Sequence, residues 1–224
     1  MALSSRKLGA LPSPEILRLR CRVLALLDRL LCPEPELRTL TFIPDPASGT
    51  ETAEWDAGDG DFWATWFAPE GALVYGLDHT CTMSPWRRKP PSLWPGLLEG
   101  LPGELAVHPA APPLERDALT FCFWHTPKTT GWRHGRVAFP RQAAWTGTTP
   151  DPDGSLRLLR LLDGVPETFA LHARAIYGRA MDVDAVRLLF QGATIDDDLA
   201  HRLDRRRDPE LTVSAARELG LATT

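Results

Sequence analysis

Residues 61–77 read DFWATWFAPEGALVYGL, and this stretch decides the fold that we expect. Two apolar runs flank Ala68-Pro69-Glu70-Gly71, a tetrapeptide with proline second and glycine fourth, as β-turns prefer. The runs at 61–67 and 72–77 are therefore predicted to form two antiparallel strands joined by a tight turn. Local connections of this kind build a meander, in which one sheet face can pack on helices while the other meets solvent.

The first of these strands carries aromatic side chains on both faces. Because side chains alternate along a strand, one face carries Phe62, Ala64 and Trp66, and the other carries Trp63, Thr65 and Phe67. Two interpretations remain open. Either the sheet is covered on both sides, or one side is a binding surface.

The rest of the chain extends this sheet and adds helices. Further strands are expected at 37–43, 52–55, 119–124 and 132–139. Ser13-Pro14-Glu15 combines a hydroxyl cap, proline at the first helical position and an acid in the first turn, which predicts a helix to about Leu31. A short helix is expected at 93–98, and helical patterns dominate from Ser155 onward.

These elements predict an α+β fold: an antiparallel sheet of about six strands packed by the N-terminal helix and followed by a helical C-terminal region. We expect a sheet domain at 13–150 and a helical subdomain at 151–224, packed together as one unit.

Composition is typical of a soluble globular protein. Of the 224 residues, 43% are hydrophobic and 24% are charged. No segment approaches the ~20 consecutive apolar residues of a transmembrane helix, and the N-terminal residues lack a signal-peptide core. Four scattered cysteines are too few for a disulfide framework. We therefore expect a cytoplasmic protein, and the excess of arginine over lysine indicates a GC-rich bacterial genome.

One segment is strongly polarised in charge. The acidic block, residues 39–86, contains eight carboxylates, four of the eight tryptophans and no Lys or Arg. Such a surface suits a positively charged protein partner and repels nucleic acid and anionic membranes. The predicted contact residues are Glu54, Trp55, Asp56, Asp59, Asp61 and Trp63.

A rival hypothesis is an enzyme or small-molecule pocket formed by other residues. Its residues are Asp78, His79, Cys81, Trp124 and His125, because Cys with His and Asp is the set that thiol catalysis uses. A third interpretation is structural, with Asp78 and His79 fixing the end of a strand. The sequence contains no G-x-x-x-x-G-K, G-x-G-x-x-G, G-x-S-x-G or H-E-x-x-H motif, so a non-enzymatic protein is favoured.

No metal or cofactor is expected. Asp56, Asp59 and Asp61 lack the register of a calcium loop and its twelfth-position glutamate. A zinc set of His79, Cys81, Cys122 and His125 is disfavoured because Cys122 and His125 would face opposite sides of one strand.

A run of three arginines near the C-terminus has a structural interpretation. Arg205-Arg206-Arg207 follows Asp196-Asp197-Asp198 in the sequence, and this order predicts a solvated helix end with internal ion pairing.

Residues 61–86 resemble a recurring bacterial pattern, WF-x-x-EG, then G-(F/L)-DH, then MSP. The matching positions are Trp66, Phe67, Glu70, Gly71, Gly76, Asp78, His79, Met83, Ser84 and Pro85. Echoes continue at 93–98, at 120–124 and at Asp153-Gly154. This resemblance is to uncharacterised bacterial proteins and implies no mechanism.

A second resemblance is to polymorphic-toxin immunity proteins of the SUKH group, through Trp94-Pro95 after a helix. Those proteins are small, cytoplasmic, α+β and often acidic, whereas the long C-terminal helical region departs from their pattern. This resemblance implies an immunity-type inhibitor whose partner is a basic toxin.

Overall fold

A computed structural model describes residues 3–106, 118–141 and 150–224. The predicted α+β class is confirmed, with an N-terminal helix, one six-stranded antiparallel sheet and several C-terminal helices. The strands follow one another in chain order: β1 (Leu40–Asp45), β2 (Thr50–Asp56), β3 (Phe62–Ala68), β4 (Gly71–Leu77), β5 (Phe121–His125) and β6 (Arg133–His134). The helices are α1 (Pro14–Leu31), α2 (Gly103–Ala106), α3 (Ser155–Leu158), α4 (Pro166–Tyr177), α5 (Val183–Phe190), α6 (Asp197–Leu203) and α7 (Pro209–Glu218).

The chain divides into two compact units. The sheet unit comprises residues 1–14 and 44–160, and the helical unit comprises residues 15–43 and 161–224. The boundary therefore falls within β1, and α1 belongs with the C-terminal helices. The division follows spatial contacts and does not test where domains fold independently, so the predicted boundary after residue 150 stays a prediction.

The β3–β4 hairpin forms as its turn sequence predicts. Ala68 pairs with Gly71 at the tight end, and Phe62 pairs with Leu77 at the open end. Gly71 has φ +148°, and a Cβ there would lie 2.1 Å from the carbonyl oxygen of His125. Only glycine allows β5 to approach this closely.

Both faces of the central strands are buried, which decides between the two interpretations of the aromatic strand. Trp63 and Trp66, which lie on opposite faces, are each 0% exposed. The face that carries Trp66 packs into a core with the segment that follows β4. That core contains Ala64, Trp66, Leu73, Tyr75, Leu97, Leu105, Leu119, Cys122 and Trp124.

In the helical unit, α1 begins at Pro14 and ends at Leu31, as predicted. Its buried Asp28 accepts hydrogen bonds from the hydroxyls of Tyr177 and Thr39 and from the backbone N–H of Leu40. Burial raises the pKa of Asp28, and the donors oppose that rise. The carboxylate thus ties the end of α4 and the start of β1 to α1.

Three local predictions are wrong. Residues 93–98 form no helix, and 95–98 form turns, because Gly96 has φ +79°, whereas an α-helix requires a φ of about −63°. The last strand covers only Arg133–His134. Arg205, Arg206 and Arg207 form no ion pair with the acids of 196–198 among the described residues.

No helix in the described ranges is long and apolar enough to cross a membrane.

Candidate functional site

The acidic block separates into an interior and an exterior group of carboxylates. Asp61 and Asp78 are buried, whereas Glu54, Asp56 and Asp59 are exposed. Because an unpaired buried charge is costly, the two interior carboxylates require a cation from elsewhere in the chain.

Arg157 supplies that cation. Its Nε donates to Asp78 Oδ2 at 3.1 Å, and its Nη2 lies 2.8 Å from the same oxygen and also donates to Asp61 Oδ2. Burial alone would raise the pKa of Asp61, but the bonds from Arg157 and from His79 together hold it below its usual value. One guanidinium therefore neutralises two carboxylates that the sequence places 17 positions apart.

His79 is the second partner of Asp61. Its backbone N–H donates to Asp61 Oδ1 at 2.8 Å, and its ring Nδ1 lies 2.7 Å from the same atom. Since an ionised carboxylate can only accept, Nδ1 carries the proton. The side chain is 38% exposed, and Nε2 has no hydrogen-bond partner in the part of the chain that the structure describes.

Asp78 also closes the turn after β4. Its Oδ1 accepts from the backbone N–H and hydroxyl of Thr80 and from the N–H of Cys81, at 2.8–3.0 Å. Its own N–H donates to the hydroxyl of Thr120 at 3.0 Å. These bonds are what the structural interpretation of Asp78 requires.

The loop Asp151-Pro152-Asp153-Gly154 positions Arg157. The carboxylate of Asp151 accepts from the N–H groups of Leu156 and Arg157, at 3.1 and 2.9 Å. Burial raises the pKa of Asp151 to about 6, although these two bonds lower it. Gly154 has φ +75°, and a Cβ there would lie 2.2 Å from the Cβ of Asp78, so this loop contacts the turn after β4 closely.

Asp153 anchors the same loop. It is fully buried, its Oδ1 accepts from the hydroxyl of Ser155 at 2.9 Å, and its Oδ2 accepts from the hydroxyl of Ser5. Ser5 is thereby bonded to the loop that leads into α3.

The structure does not assemble the predicted pocket. In the β4–β5 register Gly76 pairs with Phe121 and Ala72 pairs with His125, so His125 and Asp78 lie at opposite ends of the strands. Trp124 belongs to the buried core. Burial raises the pKa of the Cys81 thiol to about 12, which disfavours the thiolate that catalysis needs. Of the five residues only Asp78, His79 and Cys81 are neighbours.

Only part of the predicted contact surface is exposed in the structure. The expectation of exposure is wrong for Asp61 and Trp63, which are 2% and 0% exposed. Trp55 is half-buried and pairs with Trp63 across the strands, so it faces away from Glu54 and Asp56. The exposed set that remains is Glu54, Asp56 and Asp59, which we call the acidic hairpin end.

Asp59, Asp61 and His79 each offer one ligand atom within 4.8 Å of the others, a spacing that could hold a metal ion. However, Asp61 already bonds Arg157 and His79. A metal ion bound there would compete with these bonds.

Sequence reasoning missed Arg157, Asp151 and Ser5. Two signals pointed toward them. The acidic block contains no Lys or Arg, so an arginine or lysine partner for its buried carboxylates had to come from elsewhere in the chain. Asp153-Gly154, which directly precede α3, also belonged to the first resemblance.

Comparison with family models finds no match for the chain, and no curated protein or solved structure is significantly similar to it. Both resemblances noted from the sequence therefore stay predictions.

Proposed function

We propose that this chain is a non-enzymatic cytoplasmic protein that binds a positively charged protein through the acidic hairpin end. The observation that carries the proposal is a contrast in charge pairing. The interior carboxylates share Arg157, whereas Glu54, Asp56 and Asp59 form no ion pair with any residue in the described ranges.

The local electrostatics favour an incoming cation. Glu54 and Asp56 are two positions apart on β2 and therefore share a face. Desolvation of its carboxyl and the nearby Asp56 charge raise the pKa of Glu54, although the residue as a whole is exposed. A partner's Lys or Arg would relieve that repulsion and accelerate encounter.

The test compares two triple variants of equal charge change. Glu54→Gln/Asp56→Asn/Asp59→Asn removes the acidic hairpin end and keeps the side-chain oxygens that accept from Gly58 and Asp61. The control, Glu34→Gln/Glu36→Gln/Glu104→Gln, removes three exposed acids elsewhere. Each tagged protein is used to capture partners from the source cells at low and high salt.

We expect one basic protein to bind the wild type and the control, to be lost with the first variant, and to weaken as salt rises. Retention of that protein by the first variant would refute the proposal.

The finer hypothesis is that the partner is a basic toxin and that binding inhibits it, as immunity proteins do. It is supported by the sequence resemblance at Trp94-Pro95 and by the acidity of the hairpin end. Co-expression tests it: the wild type should protect cells from the captured protein, and the first triple variant should not.

A second candidate function is acid–base chemistry at His79. The specific observation is the Asp61–His79 pair, in which a buried carboxylate orients a half-exposed imidazole, as in many catalytic dyads. Under this alternative His79→Gln would abolish an activity while the capture experiment remained unchanged.

A further inference from the structure

The helical unit contains a cleft of about 490 Å³ that is rich in arginine. The α4–α5 connection forms one wall, and the end of α6 with the residues after it forms the other. The lining residues are Arg179, Ala180, Met181, Asp182, Arg202, Leu203, Asp204, Arg205 and Arg206. Small-molecule sites commonly occupy about 300–1,000 Å³, so the cleft has the size of a ligand site.

Two of its arginines are held in place by acids. Arg179 Nη2 donates to Asp204 at 3.0 Å, and Arg202 Nε donates to Asp182 at 3.1 Å. Those acids are themselves fixed, because Asp182 caps α5 and Asp204 accepts from the N–H of Arg206. The guanidinium groups are thus positioned before any ligand arrives.

The other two arginines are available. Arg205 and Arg206 are exposed, and neither guanidinium has a hydrogen bond or ion pair within the described residues. The cleft has four arginines against two aspartates, an excess of two positive charges, in a chain whose net charge is −4. A local excess of this sign attracts anions.

A neighbouring cavity of about 480 Å³ shares Arg179, Asp204 and Arg206 and adds Arg207 and Asp208. Its lining has three arginines against two aspartates, so an excess of one positive charge continues along the connection between α6 and α7. Guanidinium groups bind phosphate oxygens through paired hydrogen bonds, and Ala180, Met181 and Leu203 offer apolar surface to an organic moiety.

We propose that this cleft binds a small molecule that carries phosphate groups. Arg205 and Arg206 contact the phosphates, while Arg179 and Arg202 fix the walls and add to the field. This site is separate from the acidic hairpin end and does not depend on the function proposed above.

The test uses inorganic pyrophosphate as the probe and the full chain at physiological salt, with binding measured by calorimetry. We expect saturable binding at one site, and Arg205→Gln/Arg206→Gln should weaken it by about tenfold or more. The matched control is Arg160→Gln/Arg174→Gln, which removes two exposed arginines outside the cleft and should leave binding unchanged.

A second variant distinguishes loss of the arginine contacts from loss of folding. Arg205→Lys/Arg206→Lys keeps the charge and loses the guanidinium fork, so it should retain part of the affinity. Absence of saturable binding, equal loss in the control, or citrate binding as tightly as pyrophosphate would overturn the proposal. Tighter binding of a ten-nucleotide single strand than of pyrophosphate would also overturn it, in favour of nucleic acid.

Discussion

Arg157 Nε donates to Asp78 Oδ2 at 3.1 Å across 79 positions of sequence. This bond joins α3 to the turn after β4, and the same guanidinium also donates to Asp61. Two of the eight carboxylates of the acidic block are therefore neutralised within the protein.

Arg157→Met should lower the free energy of unfolding by about 2 kcal/mol, because Asp61 and Asp78 would remain buried without a cation. Loss of one partner from a fully buried pair costs about 3–5 kcal/mol, but the Arg157 side chain is 50% exposed and solvent compensates in part. Urea unfolding at pH 7 measures the change. Arg160 lies three positions further along the chain and is exposed, so Arg160→Met should leave the free energy of unfolding nearly unchanged.

The contribution of Asp61 to the free energy of unfolding should depend on pH. Its pKa in the folded protein is lowered, so its stabilisation is present above the unfolded pKa of about 3.9 and is lost as pH falls through the folded value. The stability difference between wild type and Asp61→Asn should therefore be large at pH 6 and shrink below about pH 4. A difference that stays constant from pH 7 to pH 3 would contradict the pairing with Arg157.

The contribution of Asp151 to the free energy of unfolding should change with pH in the direction opposite to that of Asp61. Its pKa is raised to about 6, so the folded protein binds a proton that the unfolded chain has released, and stability falls as pH rises from about 4 to 6. The ¹³C shift of its carboxyl carbon should titrate with a midpoint near pH 6. A midpoint near 4 would mean that this carboxyl is solvated.

Gly154→Ala should destabilise the folded protein considerably more than Gly100→Ala. Both glycines have a left-handed φ, +75° and +78°, but a Cβ at 154 would collide with Asp78 whereas a Cβ at 100 meets nothing within 4 Å. The backbone penalty of about 1–2 kcal/mol is common to both. The collision adds about 1–3 kcal/mol, and thermal unfolding of the two variants measures the difference. Equal melting temperatures would show that the loop can move away from Asp78.

The Cys81 and Cys122 thiols should resist alkylation in the native protein. Burial raises the pKa of each to about 12, so the reactive thiolate is scarce at pH 8. Iodoacetamide labelling followed by mass spectrometry should modify them only after denaturation. Rapid native labelling of Cys81 would revive thiol chemistry at this turn.

Local sequence signals predicted the regular elements well. Pro69 and Gly71 mark the β3–β4 turn, and Ser13-Pro14-Glu15 marks the start of α1, because caps and turns depend on residues that are adjacent in sequence. The helix expected at 93–98 does not form, because Gly96 has a left-handed φ and lies close to the carbonyl oxygen of Arg136, and apolar spacing reveals neither feature.

The site was harder to predict because its partners are distant in sequence. Alternation showed that β3 has two aromatic faces but could not show that both are covered, which decides the burial of Trp63. Similarly, Asp61 and Asp59 look alike in sequence, but Asp61 is buried and paired with Arg157, whereas Asp59 is exposed.

The central proposal is that a cationic protein pairs with Glu54, Asp56 and Asp59, which form no ion pair among the residues that the structure describes. The most direct measurement is the salt dependence of the captured partner's dissociation constant, for wild type and for Glu54→Gln/Asp56→Asn/Asp59→Asn. We predict tight binding that weakens with salt for the wild type, and weak binding with a much flatter dependence for the variant. Equal affinity and equal slope for the two proteins would contradict the claim.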